Sequence, residues 1–536
     1  MKLTRKHFHE QVYFYTLILI AISLPLSVFT CSMFQLVLVI NWLLEARFRE
    51  KWMRARADRA LQVFLLLFVM HLVGLLWSSD LAYGLWDLKI KLPLLGLPVV
   101  VATSAALTRR QVLWILFFFC LAVFVASMAT LFKLLGWLPG EIYDFRDLSL
   151  FMSHIRFSLM IVLVLLISAY GLFVGRNSLS RIERVFYLIC LLWFPVMLVL
   201  LKSLTALFIA GLLLFLILLR LVFQIRDQVL RYMALVPVIM IPLLSIYYVS
   251  HAINKFYTFD PVSIEELDSH TVEGNPYLNK PGNREVENGH YVWIYVCDKE
   301  LEREWSKASA LDYWGRTSKD QSVRTTLIRF LSSKGLRKDA AAFKQLSQAE
   351  ILAIEDGIAN HIYMGRFKIY PRIYEVIWEI DRYRQGYDPN EKSVVQRYLY
   401  LQAGCKIAQE HLWFGVGNGD VMNEFLGYYE EVQSPLSEKL RKRAHNQYLT
   451  FIISFGIPGF ILCMLALLAP PFLARRQHSF LAVGFLILVL VSMLSEDTLV
   501  TARGASFMAL FYSLFIFGPD FPWLQKKSGK EDGKAF

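Results

Sequence analysis

Long apolar stretches alternate with short polar connections over most of this chain. Apolar runs fall near residues 11–28, 30–44, 60–78, 88–104, 112–134 and 155–175. Further runs lie near 185–201, 204–222, 232–250, 445–470, 480–494 and 505–518. Most are about 17–25 residues long, which is what a helix needs to cross a hydrocarbon core of roughly 30 Å. The pattern predicts an all-α polytopic membrane protein with about twelve transmembrane helices. The polar stretch 251–444 interrupts it as a large loop domain. That gives an N-terminal transmembrane region over 1–250 (about nine helices), the loop domain over 251–444, and a C-terminal region over 445–536 with about three helices and a tail.

The loop domain reads as mostly helical. Helices are predicted over 298–307, over 322–332 with Leu327, Ile328 and Leu331 facing inward, over 347–360, and over 393–412. The third opens on Ser347 followed three residues later by Glu350, a capping box. Residues 260–290, rich in Asn, Pro, Gly and acid, read as irregular.

Composition agrees with a membrane protein. Of 536 residues, 56% are hydrophobic and 19% charged, whereas soluble domains run nearer a quarter charged. A soluble multidomain protein, a disordered chain and a disulfide-stapled small domain are excluded. The net charge of +12 raises the question of nucleic acid, and its distribution answers it. Residues 251–444 hold 26 Lys/Arg against 28 Asp/Glu, while the rest of the chain holds 30 against 16. The excess lies in short connections: Lys2/Arg5/Lys6, 47–59, Arg109/Arg110, Arg176/Arg181/Arg184, Arg220/Arg226/Arg231, Arg475/Arg476 and 526–534. Cytoplasmic connections carry such an excess. Twelve spans put every cluster on one side, with both termini cytoplasmic and the loop domain on the far side. The basic N-terminus leads into an apolar run without a small-residue cleavage site, which predicts a retained helix.

Seven cations fall on the other side of that arrangement: Lys89, Lys91, Lys133, Arg146, Arg156, Lys202 and Arg503. A cation at the centre of a span costs at least about 2.5–3.5 kcal/mol, so such residues mark substrate pathways unless they snorkel to headgroups. A cationic ring beside lipid suits a lipid-linked phosphate or pyrophosphate, which Arg grips by a bidentate fork and Lys as a point charge. The run Gly415-Val-Gly-Asn-Gly-Asp420 reads as a sharp turn, with an anion cradle as the alternative. The six cysteines form no metal set, and Cys297 and Cys405 share the loop domain, where an oxidising compartment would allow them to pair.

The chemistry concentrates at Arg443-Ala-His445-Asn446-Gln-Tyr448, just before a span containing Gly456-Ile-Pro-Gly459. On one continuous helix, His445 and Gly456 are separated by about 1100° at roughly 100° per residue, which puts both on one face with Gly459 close by. Small residues there predict close approach of a neighbouring helix. An imidazole at the membrane rim titrates near neutrality and can take a proton from a sugar hydroxyl. A lone interfacial histidine is more often structural; the adjoining Asn446, the glycines and the cations reverse that and favour chemistry.

His445-Asn446, nine residues, then Gly456-x-x-Gly459, preceded by Arg397-Tyr398 … Phe414-Gly415-Val-Gly417, resembles the bacterial O-antigen ligases. More broadly it is similar to the ligase/polymerase superfamily acting on undecaprenyl-pyrophosphate-linked glycans. The resemblance implies an inverting, metal-independent glycosyl transfer that needs no cofactor. It would move a glycan from undecaprenyl pyrophosphate to a lipid A–core sugar hydroxyl at the periplasmic face of the bacterial inner membrane. In that scheme His445 and Arg397 are the catalytic pair. Arg156, Lys202, Arg443, Asn446, Arg503, Lys89 and Lys91 bind pyrophosphate or acceptor. One departure is clear: the family commonly has Ser-Arg at the mouth of an earlier span, where this chain reads Lys202-Ser203-Leu204-Thr205. The rival functions are an O-antigen polymerase or protein O-oligosaccharyltransferase using the same donor, and a membrane transporter. Against the transporter, the two halves show no symmetry and the polar residues gather at one face.

Overall fold

The structure is a computed structural model that describes residues 5–139, 148–175, 179–259, 267–283, 285–365, 370–390 and 393–523. Arg146, Arg176, Lys2 and the basic run 526–534 lie outside the described residues. The chain is 71% helical with almost no sheet. In order, its first helices are α1 (Arg5–Leu26), α2 (Val28–Leu44), α3 (Phe48–Ala57), α4 (Arg59–Val73) and α5 (Leu81–Thr103). Then come α6 (Arg109–Leu134), α7 (His154–Ala169), α8 (Arg181–Leu200), α9 (Leu204–Phe223) and α10 (Gln228–Tyr257). Past a two-residue hairpin, β1 (Val286–Glu287) and β2 (His290–Tyr291), lie α11 (Asp298–Ala308), α12 (Val323–Ser333), α13 (Ala340–Phe343), α14 (Gln348–Glu355) and α15 (Tyr370–Arg384). The last set is α16 (Ser393–Glu410), α17 (Val421–Glu431), α18 (Gln447–Leu468), α19 (Pro470–Leu473), α20 (Phe480–Ser492) and α21 (Ala502–Tyr512).

Each of the twelve apolar stretches is helical, and the chain is a multi-pass helical membrane protein. Among the described residues, eight helices are long and apolar enough to cross a bilayer, or nine if α2 and α3 count as one bent span, against the twelve expected. The shortfall has physical reasons. The helix α5 is long enough but carries Asp87, Lys89 and Lys91, and the apolar helices of 480–492 and 502–517 are short.

The chain forms two compact units, Met1–Gln224 with Pro389–Phe536, and Ile225–Asp388. In the first, α1 packs on α2 and α6, α5 on α21, α4 on α18, and α7 on α8, α9 and α20. Helix α7 is buried almost all round from Phe157 to Ile167, and every residue of 503–516 is buried. Such all-round burial marks helices at the centre of a bundle.

In the second unit α10 packs on α15, with Phe256 against Tyr374 and Ile377. A separate core of Val292, Leu301, Trp305, Leu327, Ile328 and Leu331 gathers α11, α12 and α14. Helices α11 and α12 match the expected spans within one residue, and the Ser347/Glu350 capping box forms, though α14 stops at Glu355. In the hairpin, Val286 pairs with Tyr291 and Glu287 with His290. Its turn residues Asn288 and Gly289 both have positive φ, the conformation that tight hairpins select. The six cysteines are free, Cys297 buried and Cys405 exposed.

Candidate active site

The head of α18 is tied to the connection between α20 and α21. Asn446 caps the helix, accepting from Leu449 N–H at 3.1 Å, and its amide donates to the Leu494 carbonyl at 3.1 Å. Gln447 N–H donates to the Met493 carbonyl at 2.9 Å, and its side-chain oxygen accepts from Leu499 N–H at 2.9 Å. Thr450 donates to Asp497 at 2.7 Å. Asn446, expected among the substrate-binding groups, is thus engaged in holding this scaffold.

His445 precedes the helix in the left-handed region, with φ 49. The helix begins only at Gln447, so the continuous helical phase that aligned His445 with Gly456 does not exist. Instead the left-handed residue turns the imidazole away from the helix and toward Tyr400 on α16, ring centroids 5.6 Å apart. Burial holds His445 below the usual histidine range; Asp497 pulls in the opposite direction, and Arg397, Lys442 and Arg156 add to the lowering. The net result is a neutral ring at pH 7, able to accept a proton.

Two arginines from different helices act on it, and a third stands beside one of them. Arg397 on α16 reaches Glu496 at 3.4 Å. Arg156, in the first turn of α7, lines a narrow cleft together with Glu496, Thr498, Arg503 and Gly504. Arg503, at the start of α21, donates to the Phe151 carbonyl at 2.7 Å. Glu496 is pushed up by burial, with Arg397 and Arg156 opposing. Within the cleft two guanidiniums, of Arg156 and Arg503, stand against the one carboxyl of Glu496. The N-termini of α7, α18 and α21 lie at this end of the unit, and each adds the positive end of a helix dipole.

The other expected residues sit elsewhere. Arg443 donates to the Tyr83 hydroxyl at 2.9 Å and lies over that ring. Lys91 is buried in an ion pair with Asp87, one turn away, at 2.5 Å, and Asp87 also accepts from Asn418 at 3.4 Å. Lys89 is exposed on the outer face of α5 beside Leu85, Trp86 and Leu92, the setting of a snorkelling lysine. Lys202 is exposed in the α8–α9 connection. Three residues on, Thr205 hydrogen-bonds Ser495 at 3.1 Å, which brings that connection beside the Glu496 segment.

Of the two glycines, Gly456 serves a different contact from the one expected. Gly456 breaks α18 with φ 67 and ψ −175, and what lies against it is the loop after α16. Ile457 N–H donates to the Leu412 carbonyl at 2.7 Å, Val416 N–H to Ile453 at 2.8 Å and Gly417 N–H to Ser454 at 3.0 Å. Gly459 faces α4, where a Cβ would come within 3.0 Å of Met70 Cε. The run 415–420 is a turn in which the N–H groups of Gly415, Val416, Gly417 and Gly419 are spent on protein acceptors, that of Gly419 on Ser78 Oγ at 3.1 Å. The Asp420 carboxylate accepts from Ser79 and Asp80 N–H at 2.6 and 2.9 Å. This backbone knot fixes α16, and with it Arg397, relative to α18.

Sequence reasoning counted cations and so passed over Glu496, Asp497 and Asp87. The signal was available, because a carboxylate in an apolar stretch is as costly as a cation. Tyr400 carried no such signal.

The fold and the site together define a polytopic helical membrane protein with a histidine and an arginine cluster at one end of its bundle. The family model described as O-antigen ligase matches residues 349–464. That segment holds Arg397, the 415–420 turn, Arg443, His445 and both glycines of α18. Over those residues the chain is similar to the O-antigen ligase family, which supports activity of the ligase/polymerase type. No curated protein matches the chain.

Proposed function

We propose that this protein is a glycosyltransferase of the O-antigen ligase type. It moves a glycan from undecaprenyl pyrophosphate to a sugar hydroxyl of lipid A–core at the periplasmic face of the inner membrane. The observation that carries the proposal is the convergence of His445 with Arg397, Arg156 and Arg503 around Glu496 and Asp497. His445 takes the proton of the acceptor hydroxyl, and that oxygen attacks the anomeric carbon from the face opposite the leaving group. The bond from carbon to pyrophosphate oxygen breaks with inversion, and the electron pair departs on undecaprenyl pyrophosphate. The arginines hold the pyrophosphate and stabilise the charge that develops as it leaves. His445 then returns its proton to water. Asp497, opposing the effect of burial, keeps the imidazole basic enough to act.

Complementing a deletion strain with His445→Ala tests this on lipopolysaccharide gels. The expected result is loss of glycan-capped species with lipid-linked glycan accumulating, since general-base catalysis is worth about 10²–10⁴ in rate. Capping at the wild-type level would remove His445 from the mechanism. Capping by single units in the deletion strain would instead identify a polymerase.

A further inference from the structure

Far from the arginine cluster in sequence, α2 and α3 meet at a bend of 110°. The turn is made by Ala46 and Arg47, both left-handed at φ 59 and 50. A helix that leaves a span at such an angle runs along the bilayer surface. Four of the ten residues of α3 are Lys or Arg, against one Glu, which bars it from the hydrocarbon.

Those four cations divide into two pairs. Lys51 donates to the Trp42 carbonyl at 2.5 Å and pairs with Glu45 at 2.9 Å. Arg54 donates to the Thr103 and Ser104 carbonyls at 3.0 and 2.7 Å. These two fasten α3 to the bundle. Arg49 and Arg56 are exposed, and their side chains engage no partner among the described residues. Seven residues apart, they share one face of the helix.

Beside that face opens a groove between α2, α3, α4 and α5. Trp42, Phe48, Trp52, Leu61, Leu65 and Val99 form its apolar wall, and Arg56 and Gln62 also line it. Phe48 and Trp52 are 53% and 68% exposed, so large aromatic surface stands open next to unpaired guanidiniums.

We propose that this groove is a binding site for an anionic phospholipid of the bilayer. Its phosphate is held by Arg56 and Arg49, and an acyl chain lies along Trp42, Leu61, Leu65 and Val99. The polarity of the groove sets the occupant: an apolar wall of acyl-chain character beside a doubly cationic helix face matches a lipid carrying net negative charge. A zwitterionic lipid would bring its own cation against the arginines. The site is independent of the glycosyl-transfer proposal and shares no residue with it.

The test is native mass spectrometry of the full-length protein in detergent, titrated with phosphatidylglycerol and with phosphatidylcholine of the same chains. Wild type is expected to retain phosphatidylglycerol preferentially. Each surface cation contributes about fivefold, so the double variant Arg49→Gln/Arg56→Gln should weaken that retention about twenty-five-fold. Arg49→Lys/Arg56→Lys should keep most of it, and Trp52→Ala should weaken retention of both lipids. Arg181→Gln, an exposed cation at the start of α8, should change nothing. Equal retention of the two lipids, or an unchanged double glutamine variant, overturns the proposal. So does a dimer that dissociates on Trp52→Ala, which would make the groove a contact between copies.

Discussion

Replacing Gly456 by alanine tests how the site is held together. The residue sits at φ 67, ψ −175, a region that only glycine visits freely; forcing a side chain there costs about 1–3 kcal/mol. The new Cβ would also press on the Trp413 carbonyl and the Phe414 nitrogen. These are backbone atoms that cannot swing aside, and overpacking of this kind costs about 1–3 kcal/mol. Together the two effects come to about 2–6 kcal/mol. Any loss of the Ile457–Leu412 or Val416–Ile453 hydrogen bonds would add about 0.5–1.5 kcal/mol each. Gly211 is the matched control. It lies inside the spanning helix α9 and a Cβ there meets nothing within 4 Å, so alanine should be neutral or stabilise by up to about 1 kcal/mol. Thermal unfolding of the purified, detergent-solubilised protein separates them. Gly456→Ala should unfold well below wild type and Gly211→Ala at or above it. If the two variants unfold together, the backbone knot at 412–417 and 453–457 does not support the site as argued.

Because burial keeps His445 below the usual histidine range while Asp497 opposes it, the acid limb of a pH–rate profile should have its midpoint below about 6.5. Asp497→Asn should move that midpoint lower still, read from glycan transfer by membranes across pH 4–8 as a rough window. Linkage gives the same sign: a histidine whose folded pKa is depressed loses stability as pH falls from the unfolded value near 6.5 toward the folded one. Asn446→Ala removes both the cap and the tie to Leu494. It should cost about 1–2 kcal/mol in thermal stability and reduce transfer without abolishing it, whereas Asn446→Asp should keep the cap and much of the stability. Arg397→Lys keeps the charge but loses the planar fork; transfer should fall at least about tenfold with unfolding unchanged, and wild-type transfer would argue against pyrophosphate recognition at Arg397.

Hydrophobic periodicity alone carried the helices. Every apolar stretch became one, because an apolar run must bury or face lipid wherever it lies and its backbone must bond internally. The His445-Asn446 and Gly456/Gly459 spacing pointed to the right segment. It could not say that Asn446 ends the helix and that His445 stands outside it, since one left-handed residue undoes a helical-phase argument. Nor could it tell Lys91 from Arg156. Both are cations near the mouth of a span, but Asp87 neutralises one, while the other opens on the cleft beside Glu496.

What the sequence determined by itself was therefore the class of fold, the polar interruption, and the segment where chemistry gathers, all of which depend on local composition and spacing. Which charges meet was decided by tertiary packing. The group facing His445 comes from α7, α16 and the α20–α21 connection, separated by hundreds of residues, and only the closed bundle brings Arg156, Arg397 and Asp497 to one ring, with Glu496 against the same two arginines.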